Sequence, residues 1–358
     1  MDNLLDLPNL KALNGPILVT GHTGFKGSWL IELLTIHGFD VIGLALPPTE
    51  DSLYARFSGS KRYKEFFADI NDAKNLREII CEIKPSFVFH LAAQALVIDA
   101  YNQPFETYRT NIAGTLNIIE AASLSSTCRG VQVITTDKVY FNTNVGKSFV
   151  EGDPLFGTDP YSGSKVGAES VVSGLQKIMK EKSGLLIQSV RAGNVIGGGD
   201  FAANRLIPDM IRSHIAGAEL MIRNPKSTRP WQHVLDPLIG YLIAAEYLLS
   251  TDDFGPFNFG PNEPSLQVSR VIELALEILP TRFLLSTHED KIHTESKTLE
   301  ISPEKASQYL QWDPLFTQEH AIGLTMQWWR KVLYEGMPPL MAVQHDITLA
   351  LNERASRC

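Results

Sequence analysis

The feature that most constrains this chain is a short apolar run that leads directly into three evenly spaced glycines. Residues 17–20 are followed by Gly21, Gly24 and Gly27, and a helix-like stretch continues over residues 28–37. Glycines in such a turn allow a tight reversal and let a pyrophosphate approach the helix N-terminus, where unpaired N–H groups favour negative charge. The order of strand, turn and helix therefore predicts a dinucleotide-binding βαβ unit.

Short apolar runs go on alternating with longer amphipathic stretches, which predicts a βαβα order. The predicted strands are 17–20, 41–46, 87–91, 131–135 and 186–192, and the predicted helices are 25–37, 72–84, 105–123 and 161–182. Strands this apolar are buried on both faces, so we expect an α/β fold of the Rossmann type with a doubly wound parallel sheet.

The regular rhythm ends near residue 192, where segments containing glycine and proline begin. We therefore expect residues 1–192 to form the dinucleotide-binding domain, which also carries the catalytic residues. Residues 193–358 are expected to form a smaller, mixed α/β substrate lobe, part of which crosses back to the first domain.

The charge balance narrows the range of partners. With 32 Lys plus Arg against 40 Asp plus Glu, the formal charge is −8, so we expect neither a nucleic-acid nor a membrane partner. The apolar runs are far shorter than the roughly 18 residues of a membrane span, and residues 1–13 lack the pattern of a secretory signal. Three widely spaced cysteines fit reduced thiols, and no metal-ligand spacing occurs. The sequence thus predicts a cytoplasmic protein without a metal site.

The end of the second predicted strand leaves the choice between NAD and NADP open. Enzymes that use NAD usually carry an acidic residue about 20 positions after the glycines, but this chain has the residues Gly43-Leu44-Ala45-Leu46 there. A further strand, the third in chain order, is expected to close at Asp69-Ile70, and Asp69 could present a carboxylate to an adenine amino group. Lys26 or Arg56 could instead meet a 2′-phosphate, so NAD is expected and NADP is not excluded.

Two groups of polar residues predict the chemistry. Thr136, Asp137 and Lys138 follow the fourth long strand, and Tyr161 and Lys165 lie four residues apart on the next predicted helix, on one face. A tyrosine can take a proton from a sugar hydroxyl only if its pKa of about 10 is lowered, which a neighbouring ammonium does. A YxxxK spacing alone is common, but after a dinucleotide-binding turn it indicates an oxidoreductase site.

With these residues in view, the sequence resembles the extended short-chain dehydrogenase/reductase family that modifies nucleotide sugars. It is most similar to the members that act on CDP-glucose as 4,6-dehydratases, in which water is lost across C5 and C6. That narrower resemblance rests on the runs GHTGFKGSWL (21–30), TTDK (135–138), DPYSGSK (159–165), RAGNVIGGGDF (191–201), RLIPD (205–209) and RPWQHVLDPLIGYL (229–242).

The resemblance implies a set of ligand contacts. The implied cofactor contacts are Gly21, Thr23, Gly24, Phe25, Lys26, Gly27, Asp69, Ile70, Leu91, Ala92, Ala93, Asn111, Tyr161 and Lys165. The implied substrate contacts are Gln94, Asn194, Arg205, Leu206, Arg229 and His233, with Arg223 as a further candidate. Arginine forks suit a diphosphate, whereas Trp231 and His233 fit core packing equally well.

The resemblance also implies three steps at one site. Tyr161, helped by Lys165 and Thr136, removes the C4-hydroxyl proton while hydride passes from C4 to the nicotinamide. A base then takes the C5 proton while an acid protonates the departing C6 hydroxyl, with Asp137 and Lys138 as acid and base. Hydride finally returns to C6. Lys138 must be neutral to act as a base; the alternative is a protonated lysine that stabilises the enolate.

Other interpretations stay open. A 4,6-dehydratase for another nucleotide sugar, or a nucleotide-sugar 4-epimerase, would use the same tyrosine and lysine, and a non-catalytic binding protein would need neither. Departures from the family pattern at Phe141, Phe201 and Asn204 bear on substrate choice. The resemblance further suggests a homodimer, or a higher homo-oligomer, that associates through helices 105–123 and 161–182.

Overall fold

The structure is a computed structural model of the 358-residue chain. It describes residues 5–57, 63–143, 146–222, 224–251, 253–279, 285–287 and 299–357.

A seven-stranded sheet forms the centre of the molecule, and all its neighbouring strands are parallel. The described strands are β1 Ile17–Thr20, β2 Val41–Ala45, β3 Lys64–Phe67, β4 Phe87–His90, β5 Gly130–Ile134, β6 Ser148–Phe149, β7 Leu186–Ala192, β8 Asn194–Ile196, β9 Leu220–Ile222, β10 Thr228–Arg229, β11 Trp231–His233, β12 Phe257–Phe259, β13 Leu266–Gln267, β14 Leu285–Thr287 and β15 Glu300–Ile301. The order across the large sheet is β12-β7-β5-β4-β1-β2-β3.

The burial of these strands explains why their sequences are continuously apolar. Every residue of β1, β2, β4, β5 and β7 is buried, whereas β3 lies at the sheet edge and is partly exposed. The predicted Rossmann-type parallel sheet is confirmed. The chain order reverses between β1 and β4, whose ends are aligned at Thr20 and His90. Ligands of such sheets bind at the carboxyl ends of the strands that flank this reversal.

Helices cover both faces of the sheet. The described α-helices are α1 Pro8–Lys11, α2 Phe25–Ile36, α3 Ala73–Ile83, α4 Val97–Asn102, α5 Pro104–Tyr108, α6 Gly114–Ser123, α7 Pro160–Ser183, α8 Leu206–Ala216, α9 Leu235–Thr251, α10 Val268–Ile278, α11 Glu304–Leu310, α12 Gln318–Tyr334 and α13 Pro339–Ala355. The helix predicted over 105–123 is interrupted, because a π-helical turn at Arg109–Ala113 separates α5 from α6.

The later part of the chain contributes to more than one layer. Short strand pairs, such as β8 with β11 and β10 with β13, lie outside the large sheet. Strand β12, although it comes after residue 192, pairs with β7 at the edge of the large sheet. One hydrophobic core joins residues of β1 and α2 to residues of α9, α12 and α13. No helix within the described residues is long and apolar enough to span a membrane.

Candidate active site

Two loops meet where β1 and β4 end. Gly21 has φ +74°, and a Cβ on it would lie 2.7 Å from the backbone nitrogen of Ala92. Leu91 N donates to Thr20 O at 3.2 Å, which fixes the second loop against the first. The structure therefore brings the glycine turn together with residues 91–93, as the sequence predicts for a cofactor site. Only glycine allows so close an approach of two backbones.

The glycine turn opens helix α2. Gly24 is the residue that precedes the helix, and no side chain caps the N–H groups of the first turn, which contains Phe25, Lys26 and Gly27. Thr23 Oγ1 donates to Leu46 O at 3.1 Å and ties the turn to the end of β2. These N–H groups, together with the close approach at Gly21, fit a pyrophosphate.

The end of β2 carries no acidic side chain, and a buried cluster lies next to it. His22 is fully buried, and a Cβ on Gly43 would lie 2.5 Å from its Cγ. The Nε2 atom of His22 is 3.3 Å from Oε2 of Glu65, which also accepts a hydrogen bond from Tyr54. Sequence reasoning missed this cluster, although His22 lies inside the glycine motif.

Asp69 and Ile70, which follow β3 after one intervening residue, differ in exposure. Asp69 is exposed, and its Oδ1 accepts from Asn71 N at 2.9 Å. Ile70 is buried and packs on Gly114, where a Cβ would lie 2.5 Å from Ile70 Cδ1. Asp69 is thus placed at the carboxyl edge of the sheet, where the sequence predicted a contact to adenine.

The side chain of Lys26 reaches helix α9. Its Nζ donates to the hydroxyl of Tyr241 on α9 at 3.0 Å. Burial, and then the charges of Lys165 and Arg205, lower the pKa of Lys26 to about 7 against a raising effect of Asp137. Lys26 therefore lies among the catalytic candidates. The role of Tyr241 was not foreseen, because nothing in the sequence pairs residues 26 and 241.

Asn111 holds two predicted contact segments in place. It lies in the π-helical turn, and its side chain accepts from Gln94 N at 2.9 Å and donates to Gln94 O at 3.0 Å. It also donates to Ser164 Oγ on α7 at 2.8 Å. Because all these partners are protein groups, Asn111 fixes the loop after β4 against the helix that carries Tyr161 and Lys165.

Helix α7 positions the predicted tyrosine and lysine. Asp159 caps the helix by accepting from the backbone N–H of Tyr161 at 2.9 Å and of Ser162 at 3.0 Å. Lys165 is buried, its Nζ donates to Ile134 O at 3.2 Å, and burial lowers its pKa to about 8. Burial raises the pKa of Tyr161 to about 12, opposed first by the charge of Arg205 and then by a hydrogen bond with Thr136. The cation next to Tyr161 in this structure is thus Arg205.

Asp137 and Lys138 lie in a short 3₁₀ turn, Asp137–Val139, which begins after two residues that follow β5. Asp137 is 2% exposed; its Oδ1 accepts from Thr136 Oγ1 at 2.9 Å, whereas its Oδ2 has no hydrogen-bond partner among the residues that the structure describes. Burial raises the pKa of Asp137, against the lowering effects of Lys138, Thr136 and Arg229. Lys138 is partly exposed. The turn therefore holds a buried acid beside a more accessible amine.

Two predicted substrate arginines lie beside this centre. Arg205 pairs with Asp200 at 3.0 Å, and its charge acts on both Tyr161 and Lys26. Arg229 is 9% exposed, and its charge acts on Asp137. Leu206 follows Arg205 as the first residue of α8 and is partly exposed. The structure thus gathers positive charge around the catalytic candidates.

The other predicted substrate residues are placed less uniformly. Asn194 and Gln94 are partly exposed. His233 is fully buried between the rings of Trp29 and Phe316, at centroid distances of 5.9 and 5.5 Å, and burial lowers its pKa to about 3. These surroundings are those of a core residue. Arg223 lies outside the described residues.

Phe141 and Phe201, two residues that depart from the family pattern, both make aromatic contacts. Phe141 is 47% exposed and packs edge-on against Phe156 at 5.4 Å. Phe201 packs against Trp329, and the guanidinium of Arg56 lies 4.0 Å from the centre of its ring. Arg56 is therefore held against the lobe that follows β7.

Taken together, this arrangement can perform proton chemistry in two adjacent places. Tyr161 and Lys165 lie on one helix, and Thr136 joins Tyr161 to the turn that holds Asp137 by hydrogen bonds to both side chains. A buried carboxyl group with a raised pKa can stay protonated and donate, whereas an amine nearby can accept.

Comparisons with known proteins identify relatives of this chain. The sequence model of the family described as GDP-mannose 4,6 dehydratase matches residues 18–324. A curated relative, CDP-glucose 4,6-dehydratase of Salmonella typhimurium, is 39% identical over 345 residues, which cover 93% of this chain and 95% of the relative.

Solved structures give the same fold. UDP-glucose 4-epimerase of Thermotoga maritima, solved with UDP-glucose, has a TM-score of 0.75 at 24% identity and covers 89% of this chain and 99% of its own. The dTDP-glucose 4,6-dehydratase DesIV of Streptomyces venezuelae, solved with NAD bound, has a TM-score of 0.76 at 21% identity and covers 91% of this chain and 99% of its own.

Proposed function

This chain belongs to the GDP-mannose 4,6 dehydratase family of nucleotide-sugar enzymes, and from that membership we propose that it converts CDP-D-glucose to CDP-4-dehydro-6-deoxy-D-glucose. The observation that carries the reaction type is the buried Asp137, with one oxygen that has no partner among the described residues, next to Lys138 and linked through Thr136 to Tyr161. The choice of CDP-glucose is supported by the 39% identity to the Salmonella enzyme.

The proposed cofactor is NAD, supported by the uncapped start of α2 and the close approach of Gly21 to Ala92. The nicotinamide, when bound, supplies the hydride acceptor for C4 and the donor for C6. The residues that would hold it are those of the glycine turn, Asp69, the loop over 91–93, and Tyr161 with Lys165. The absence of an acid after β2 leaves NADP as the alternative.

Tyr161 and Lys165, the oxidation pair, would begin the reaction. Tyr161 takes the proton of the C4 hydroxyl as C4 is oxidised to a ketone. Burial raises the pKa of Tyr161 to about 12 even though the charge of Arg205 opposes it, so further positive charge must favour its phenolate. Lys165, four residues further along the same helix, would supply that charge in its protonated form.

Asp137 and Lys138, the elimination pair, would then remove water. The C4 ketone acidifies the C5 proton, which the side chain of Lys138 would accept. Asp137 gives its proton to the C6 oxygen as the C6–O bond breaks, so that water leaves and a C5=C6 double bond forms. Burial raises the pKa of Asp137 and favours its protonated form, which suits an acid. Arg205 and Arg229 would bind the diphosphate.

We also propose that the protein acts as a homodimer whose contact lies on α5, α6 and α7. This is supported by large apolar side chains exposed on that side, namely Phe105, Tyr108 and Leu116, which are 85%, 41% and 44% exposed. Sedimentation of the purified protein tests the proposal, and a monomer at micromolar concentration would contradict it.

The test of the function is to incubate the purified protein with CDP-glucose, dTDP-glucose, UDP-glucose or GDP-mannose, each with and without added NAD. The readout is the absorbance that 4-keto-6-deoxy sugars develop in alkali. Signal with CDP-glucose alone supports both the reaction and the substrate. Signal with another donor keeps the reaction and replaces the substrate. Conversion of UDP-glucose to UDP-galactose without that absorbance would favour an epimerase instead.

A further inference from the structure

A buried ion pair joins helix α7, which carries the oxidation pair, to strand β7. Glu169 on α7 and Arg191 on β7 are 5% and 3% exposed. Arg191 Nε donates to Glu169 Oε1 and Arg191 Nη2 to Oε2, each at 2.9 Å. The pair is therefore bidentate, the arrangement that fixes a guanidinium and a carboxylate most strictly in orientation.

Each oxygen of the Glu169 carboxylate accepts two hydrogen bonds. Besides the two bonds from Arg191, Thr135 Oγ1 donates to Oε1 at 2.5 Å and Ser189 Oγ donates to Oε2 at 2.7 Å. Burial would raise the pKa of Glu169, but the hydrogen bonds and charge of Arg191 and the two hydroxyls lower it overall. Glu169 is thus an anion one helical turn after Lys165, and it is hydrogen-bonded to Thr135, which follows β5 and precedes Thr136.

The remaining nitrogen of the guanidinium, Nη1, bonds to the residue that follows the turn of the elimination pair. Arg191 Nη1 donates to the hydroxyl of Tyr140 at 2.8 Å, and that hydroxyl donates to Asn258 Oδ1 on β12 at 2.7 Å. Tyr140 directly follows the 3₁₀ turn Asp137–Val139 and is 2% exposed. One guanidinium is therefore bonded both to the helix of the oxidation pair and to the segment of the elimination pair.

We propose that Glu169, Arg191 and Tyr140 are positioning residues that hold the oxidation pair and the elimination pair at a fixed separation. The inference rests on the proposed dehydration, since only a reaction with two successive proton transfers at neighbouring carbons needs both pairs aligned on one sugar. The Glu169 anion has a second effect, because it stabilises the protonated form of Lys165 and so opposes the burial of that amine.

A purely structural role would predict a different response to mutation. Buried ion pairs often contribute little net stability compared with apolar side chains of similar volume. What they do provide is orientation, and misplacement of reacting groups by a fraction of a bond length lowers rates strongly. The inference therefore predicts changes in individual steps and in the pKa of Lys165 rather than only a loss of folded protein.

The first test is Tyr140→Phe, which keeps the ring that stacks on Phe149 at 5.1 Å and removes the hydroxyl that Arg191 contacts. After rapid mixing with CDP-glucose, we expect reduced cofactor to form at the wild-type rate and the 4-keto-6-deoxy product to form about tenfold more slowly. Reduced cofactor should then accumulate. Equal slowing of both steps, or of neither, would overturn the positioning role.

The second test does not depend on turnover. Glu169→Gln keeps the shape of the side chain and removes its charge, so we expect the titration midpoint of the Lys165 amine, followed by NMR without substrate, to fall by about one pH unit. Lys165→Arg assigns the signal. Glu181→Gln, on the exposed side of α7, is the matched control and should leave the midpoint unchanged. An unchanged or higher midpoint in Glu169→Gln would contradict the electrostatic effect.

The two tests separate failure of this inference from failure of the proposed function. If the unmodified protein forms no keto sugar from any of the four donors, the proposed dehydration is wrong, and the Lys165 titration still decides the effect of Glu169. If the unmodified protein is active and Tyr140→Phe behaves like it, the function stands and the positioning role is wrong. Should Glu169→Gln not fold, Tyr140→Phe alone decides.

Discussion

The oxidation pair and the elimination pair lie side by side, yet they are held in different ways. Tyr161 and Lys165 belong to a 24-residue helix with a capping box at its start. Asp137 and Lys138 belong to a three-residue 3₁₀ turn. Lys165 donates to a backbone carbonyl, whereas one oxygen of Asp137 has no partner within the described part of the chain.

This difference matches the two kinds of proton transfer. Oxidation at C4 needs one base at a fixed distance from one hydroxyl, and a long capped helix provides such a fixed position. Water loss needs an acid and a base at once, which requires two groups in unlike environments. The buried Asp137 and the partly exposed Lys138 provide that contrast, and a short turn is enough to separate them.

The largest effect is expected from Tyr161→Phe, which would remove the base of the first step and leave the helix intact. We expect both reduced cofactor and keto sugar to fall by about 10³-fold or more. Tyr309→Phe, on the exposed side of α11, is the control and should keep full activity. Unimpaired dehydration by Tyr161→Phe would contradict the assignment of Tyr161 as the base of the first step.

Lys138→Ala should slow the step of the elimination pair and leave the step of the oxidation pair intact. We expect deuterium at C4 of the substrate still to reach the bound cofactor, as measured by mass spectrometry, while keto-sugar formation falls about 10²-fold. The surface variant Lys147→Ala serves as control. Lys138→Arg sharpens the result, because it keeps the charge but cannot act as a base; normal elimination by this variant would assign Lys138 the electrostatic role instead.

Asp137→Asn should slow elimination by about 10- to 100-fold, because an amide cannot give up the proton that the leaving hydroxyl needs. In the wild type, the raised pKa of Asp137 means that elimination should fall as pH rises through the folded-state pKa.

The raised pKa of Asp137 also predicts how the free energy of unfolding changes with pH. A carboxyl group whose pKa is higher in the folded state stabilises the fold below its unfolded pKa of about 3.9, and this contribution is lost as pH rises. Urea unfolding of Asp137→Asn at several pH values should lack this loss, whereas the exposed control Asp51→Asn should retain it. An Asp137→Asn protein with unchanged pH dependence in both measurements would contradict the assignment.

The smallest effect is expected at the helix start. Asp159→Ala removes the cap of α7 and should lower the free energy of unfolding by about 1 kcal/mol, with a modest loss of turnover because the end residue Tyr161 becomes less fixed. Thr317→Ala removes the equivalent side-chain cap of α12, a helix that carries none of the catalytic or cofactor candidates. It should cost similar stability in urea unfolding with no loss of turnover; equal losses of turnover would show that the cap of α7 has no special role.

The sequence by itself determined the architecture and the order of the chemical groups. Continuous apolar runs predicted buried parallel strands, because such strands are covered on both faces. The strand over 17–20 and that over 186–192 have the predicted bounds. The spacing of Tyr161 and Lys165 on one helix, and the proximity of Thr136, Asp137 and Lys138, follow from local geometry that a sequence states directly.

Only the tertiary structure decided what surrounds those groups. The contact between Lys26 and Tyr241 joins residues 215 positions apart, and the interrupted helix at Asn111 places that side chain between Gln94 and Ser164. The sequence also could not assign His233 to the core or Arg205 to the side of Tyr161. Burial and long-range charge set the protonation of a group, and both depend on chain segments that no local pattern brings together.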